Sequence, residues 1–164
     1  MKAHFDTFAR YNRWANRRLY DAVAELSDAQ FREDRGAFFG SLRGTLNHLL
    51  VGDRLWFGRI EGTGPMPTRL DEILHDRFDD LRAAREAEDE RILRVVGGLD
   101  EARLAATFAY RTIKGEACEQ PLAPVLAHVF NHQTHHRGQA HTLLSQFGRE
   151  APAIDLIYFL REPG

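Results

Sequence analysis

Apolar side chains recur at three- and four-residue intervals over four long stretches of this chain, and that period restricts it to a helical architecture. Phe8, Tyr11, Trp14, Ala15, Leu19, Ala22, Val23 and Leu26 mark a first helix over about Phe5 to Leu26, uninterrupted by proline or glycine. Ser27 followed by Gln30 has capping-box spacing and opens a short helical turn before a loop at Gly36. Ser41 starts a second helix through Leu42, Leu46, Leu49, Leu50, Leu55, Trp56 and Ile60, which the turn residues Gly62, Gly64, Pro65 and Pro67 stop. This helix is apolar nearly all round, which predicts deep burial. A third runs from Leu70 or Asp71 to Val96 and ends at Gly97 and Gly98, with Asp79, Asp80, Arg85, Glu86, Glu88, Asp89 and Glu90 read as its solvated face. Pro121 suits the first turn of a fourth helix, from about Leu122 to Phe147, closed by Gly148.

Phe108, Tyr110, Thr112 and Ile113 alternate with smaller or polar residues before a turn at Lys114 and Gly115, the pattern of a small hairpin. Ile154, Leu156, Ile157, Phe159 and Leu160 predict a short C-terminal helix. The expected fold is therefore all-α: a four-helix bundle with a long-crossover topology, a small hairpin before the last long helix and a short helix at the end. With 164 residues, 43% hydrophobic and 28% charged, the chain is expected to form one domain over 1–164 without disulfides. No apolar run approaches the roughly 20 residues that span a bilayer, and the start lacks a signal peptide's apolar stretch, so no membrane role and a cytoplasmic location are expected. A net charge of −2, with arginines dispersed among acids, argues against nucleic-acid binding, which needs a concentrated basic patch. Cys118 stands alone, consistent with a reducing compartment. No cationic cluster adjoins it in the sequence to activate it as a nucleophile.

Five of the eight histidines fall between Ala127 and Thr142. At about 100° per residue, His132 and His136 project within roughly 40° of Val125, Val129, Leu143 and Phe147, on the core-facing stripe. Two imidazoles satisfied by hydrogen bonds would explain the pair. Desolvating two polar rings in one place, however, costs several kcal/mol unless partners compensate, and i, i+4 imidazoles converge readily on one ion. A third ligand has to come from another helix, and His48, in the middle of the buried second helix, is the best candidate. Thr45, Gly52 and Leu55 flank it and Gly44 is nearby, small neighbours that would leave space around the ring. His128 and His135 lie at the edges of the stripe as alternates or second-layer groups, and Gln139 lies one turn beyond His136, placed to orient a bound water or substrate. Trp14, Trp56 and Asn47 are candidates to line a pocket, although buried aromatics at helical spacing are more often plain core. Three imidazoles with an open position describe a catalytic centre for one divalent ion, zinc, nickel or another first-row metal.

Absent motifs narrow the chemistry. His132 to His136 has zincin spacing, but Gln133 stands where the general-base glutamate would be. Glu72 and His75 form one Glu-x-x-His without the second copy a di-iron centre uses. There is no P-loop, dinucleotide-binding glycine pattern or nucleophile elbow.

The stretches 11–19 (YNRWANRRL), 46–56 (LNHLLVGDRLW), 131–139 (NHQTHHRGQ) and 155–160 (DLIYFL) together resemble the DinB-like family of bacterial metal-binding four-helix bundles, also described as damage-inducible or YfiT-related. The resemblance implies a three-histidine metal site at His48, His132 and His136, and a homodimer. It also implies an activity of the kind found in metal-dependent relatives that use low-molecular-weight thiols, as S-transferases or maleylpyruvate isomerases acting on small molecules. The leading expectation is thus a metal-dependent enzyme that activates a thiol or water, a transferase or hydrolase-like catalyst. The other is a non-enzymatic, stress-associated metal- or small-molecule-binding module.

Overall fold

The computed structural model describes residues 1–64 and 66–162. Its elements, in chain order, are α1 (Lys2–Val23), α2 (Asp28–Arg32), α3 (Leu42–Glu61), α4 (Phe78–Gly97), α5 (Glu101–Ala105), β1 (Thr107–Arg111), β2 (Ala117–Pro121), α6 (Leu122–Gln146) and α7 (Leu156–Phe159). Local chemistry sets several boundaries. The Ser27 and Gln30 side chains form the reciprocal capping box of α2. The Ser41 hydroxyl accepts from the Gly44 amide at the start of α3, and Gly62, at φ 71°, closes that helix in the left-handed conformation. β1 and β2 pair antiparallel, from Thr107 opposite Pro121 to Arg111 opposite Ala117, with Gly115 at φ 85° in the turn.

The four long helices form a ring in which α1 and α3 each pack against α4 and α6. Two apolar clusters reveal their directions. One joins Phe5 and Ala9, near the start of α1, to Phe57, Ile92 and Val96 and to Leu122, Leu126 and Phe130 of α6. The other joins Leu19 and Val23, near the end of α1, to Leu42, Leu46, Leu50, Leu81, Ala140 and Leu144. So α1 and α6 run one way and α3 and α4 the other. Two consecutive parallel helices of about 30 Å need a connection that returns the full length of the bundle.

Residues 62–77 are that connection. They return at up to about 3.3 Å per residue when extended, whereas a helix rising about 1.5 Å per residue would fall short. This corrects the expected start of the third helix at Leu70 or Asp71: α4 begins at Phe78.

A second correction concerns the charged face of α4. Arg85, Glu88 and Asp89 are buried, with Arg85 only 2% exposed. Between the two apolar clusters they join a polar layer with Asn12, Asn16, Asp53, Gln133 and Arg137. Arg85 contacts Asp53 at 2.7 Å and Asp89 at 3.0 Å. Asn16 donates to Asp89 at 2.9 Å, and Arg137 donates to Asn12 and Asn16. The layer follows from unlike charges desolvated together, since a lone buried ion would be far costlier. No helix among the described residues is long and apolar enough to cross a membrane.

Candidate metal centre

The α3/α6 interface brings together His48, His132 and His136. His48 Nε2 lies 3.0 Å from His132 Nε2 and 3.2 Å from His136 Nε2, and one ring nitrogen of each lies within 4.8 Å of the other two. Nitrogen ligands about 2.0–2.1 Å from a tetrahedral zinc would stand about 3.3 Å apart, close to this spacing. His48 and His136 are buried and His132 is half-buried. Among the described residues no fourth histidine, cysteine or carboxylate joins the group.

Hydrogen bonds at the far side of two rings fix their tautomers. His48 Nδ1 faces the Leu70 carbonyl oxygen at 2.8 Å, and His136 Nδ1 faces Gln139 Oε1 at 2.8 Å. Each acceptor calls for a proton on Nδ1, which leaves the Nε2 lone pair aimed at the cluster. The His48 and His136 lone pairs, 3.2 Å apart, repel unless a cation or proton lies between them. Protons are disfavoured. Burial, reinforced by His136, pushes His48 down to about 4, although the Leu70 carbonyl pulls the other way. Burial and the neighbouring His136, His48, His128 and His135 push His132 down to about 3, and burial also lowers His136. Near neutral pH the site presents three uncharged imidazoles, the donor set of a borderline-soft divalent ion.

The family model described as "DinB family" matches residues 1–163. The chain belongs to the DinB family. It is 24% identical to Protein DinB of Bacillus subtilis (strain 168) over 165 aligned positions, covering 92% of this chain and 90% of that one. The fold is similar to the crystal structure of a DinB-like protein from Bacillus cereus ATCC 10987, with a TM-score of 0.69 and 16% sequence identity over 88% of this chain and 91% of the other.

Within this DinB-family bundle the small residues near His48 are filled rather than open, contrary to the expected space. A Cβ at Gly44 would collide with the Phe39 carbonyl oxygen, and one at Gly52 would lie 2.9 Å from Cε1 of His132. Gly44 thus admits the 33–41 loop, and Gly52 seats the His132 ring directly against α3. The loop's Phe39 stacks on His48 at 3.9 Å and meets His136 edge-on at 5.6 Å, shielding two ligand candidates from water. Asn47 does not line a pocket. Its side chain accepts from the His75 amide and donates to the His75 carbonyl, which clamps the crossover beside α3 and so holds Leu70 near His48.

The remaining residues singled out from sequence divide in two. His135 Nε2 lies 3.2 Å from Gln139 Nε2, so His135 steadies the glutamine that holds His136. His128 packs against Trp56 at 5.3 Å and stands 5.9 Å from the His132 ring. Trp14 lies apart, against Phe159 with its indole N–H donated to Glu162. His141 is bonded to the Pro152 carbonyl, and Gln133 donates to the Leu49 carbonyl within the polar layer. Helical periodicity could not show Phe39, the Asn47 clamp or the Leu70 carbonyl, because each belongs to a loop or acts through backbone. The Ser41 cap, which pins the loop's end to α3, was the one available signal for Phe39.

Proposed function

We propose that His48, His132 and His136 hold one divalent transition metal, zinc or nickel, and that the protein uses it as an enzyme on a small-molecule substrate, with a thiol or water as nucleophile. The observation that carries this reading is the convergence of three neutral imidazoles, two of them with their Nε2 lone pairs fixed inward by Nδ1 hydrogen bonds, and with no fourth side chain beside them among the described residues. A structural centre would close its coordination sphere with protein, whereas three ligands leave a position for an exchangeable group. A divalent ion there would lower the pKa of a thiol or water and supply its anion at neutral pH.

The chain's own groups have separate tasks. The Leu70 carbonyl and Gln139 orient His48 and His136, Gly52 lets His132 approach α3, and Phe39 keeps water off the buried side. Low-molecular-weight thiols are the first nucleophiles to try, in S-transfer and cis–trans isomerisation assays. The homodimer expected from family resemblance belongs to the same proposal and is read by sedimentation.

Metal analysis of the purified protein tests the reading. One equivalent of zinc, nickel or a related ion is expected, whereas less than about a quarter of an equivalent, with no uptake on addition, would overturn it.

A further inference from the structure

The α3/α6 seam continues past the histidines toward the β1–β2 hairpin. His128, one turn before His132, packs on Trp56, and Trp56 meets the Tyr110 ring of β1 at 5.1 Å. The Arg59 guanidinium sits over both aromatics, 4.8 Å from the Trp56 ring and 5.4 Å from the Tyr110 ring. Among the described residues Arg59 has no carboxylate within salt-bridge distance, and its buried Nε has no hydrogen-bond partner. Arg91, from the facing helix, is by contrast paired with Glu61 at 2.6 Å and Glu88 at 3.1 Å. Burial lowers the Arg59 pKa, with only Tyr110 and Cys118 nearby to oppose it.

A cation stacked on aromatic faces uses its π surface and leaves the in-plane N–H donors free. Those donors form the fork that matches a carboxylate. Arg59 is also two helical turns beyond Gly52, the residue beneath His132, a separation of about 10 Å along α3. We propose that Arg59, steadied by Trp56 and Tyr110, binds a carboxylate at the far end of an elongated substrate whose reacting end reaches the three histidines. This rests on the metal-centred reading above and adds to it the class of substrate: an extended organic acid, or a thiol carrying one.

Two probes of about the required span test it, ω-mercaptooctanoate and the matching uncharged ω-mercaptooctanol. Cobalt-loaded protein reports thiolate ligation by charge-transfer absorption. Tryptophan emission, in a Trp14→Phe background that leaves Trp56 as the reporter, follows the chain of the probe. The wild type is expected to bind the acid about tenfold more tightly than the alcohol, with Arg59→Gln abolishing the preference and Arg59→Lys keeping part of it. Equal affinity for the two probes, or a preference that survives Arg59→Gln, overturns the subsite. A Trp56 response to the acid that Arg59→Gln removes, without any cobalt charge-transfer band, supports the subsite and overturns the nucleophile reading. A band of equal strength and affinity with both thiols does the reverse.

Discussion

Two polar clusters are buried back to back on the same pair of helices, and they are satisfied in opposite ways. Along α3, Gly52 faces His132 while Asp53 faces Arg85; along α6, His132 and His136 face His48 while Gln133 and Arg137 enter the polar layer. One residue of displacement, about 100° around each helix, separates them. In the polar layer, cations, carboxylates and amides alternate. Burial pushes the Asp53 and Asp89 carboxyls up while Arg85 pulls them down, and Arg137 is shared among Asn12, Asn16 and Gln133. At the histidines the Nε2 atoms of His48 and His136 face each other as acceptors, with no charged partner from the described residues between them. A cluster that pairs its own charges is structural, whereas one that turns lone pairs on one another without an opposite charge is suited to something outside the chain.

Removing the central cation has the largest expected effect. Arg85→Met would leave Asp53 and Asp89 as uncompensated buried carboxylates and is expected to cost about 3–5 kcal/mol of stability, read by urea denaturation. Metal affinity of the fraction that remains folded should change far less. His132→Ala reverses this pattern. Loss of a ligand should weaken metal binding by more than about 100-fold, beyond what outer partners contribute, with little loss of metal-free stability. Retained binding in a competition titration would remove His132 from the ligand set.

Gly52→Ala sharpens the contrast by moving the two readouts apart. Alanine in a helix interior stabilises by about 0.5–1 kcal/mol in itself, but its Cβ would force the His132 ring aside. Metal affinity should therefore fall even where the melting temperature of the metal-free protein holds or rises. Gln139→Ala frees the His136 tautomer and is expected to weaken metal binding by about 10-fold, at the lower end of effects for such partners.

The metal-free site also carries a pH dependence. His48 and His132 titrate at about 4 and about 3 when folded, against the ordinary histidine value of 6.5 in the unfolded chain. Between those limits the unfolded chain binds more protons, so the contribution to stability is fully present above 6.5 and declines as pH falls toward 4. The metal-free melting temperature should drop over that window, and His132→Ala should flatten the slope. Unchanged slopes would mean the rings are less desolvated than their geometry indicates.

Much of the fold could be read from apolar spacing. The Ser27 and Ser41 caps, the buried α3, the hairpin turn at Gly115 and the span of α6 all follow from local rules, because each depends on neighbours within a few residues. The return path of residues 62–77 could not, since helix direction is set by which apolar clusters merge. The solvated-face reading of α4 holds for Asp79, Asp80, Glu86 and Glu90 and fails at Arg85, Glu88 and Asp89 for a related reason. Arg85 and Asp89 share the stripe of Leu81, Ile92 and Val96, a signal present in the spacing, but charge was weighed above position. At the candidate site the i, i+4 pair was legible from one helix, and His48 needed a second helix or the family resemblance.

By itself, then, the sequence determined that this is a helical bundle and that two histidines share a buried stripe of α6, because periodicity is a property of one helix at a time. Tertiary structure alone decided that His48 meets them nitrogen to nitrogen, that Leu70 and Phe39 flank it from loops, and that Arg59 lies over two aromatic rings with no acid beside it among the described residues. Those relations join segments distant in the chain, and packing fixes them only when the crossover and the loops close over the helices.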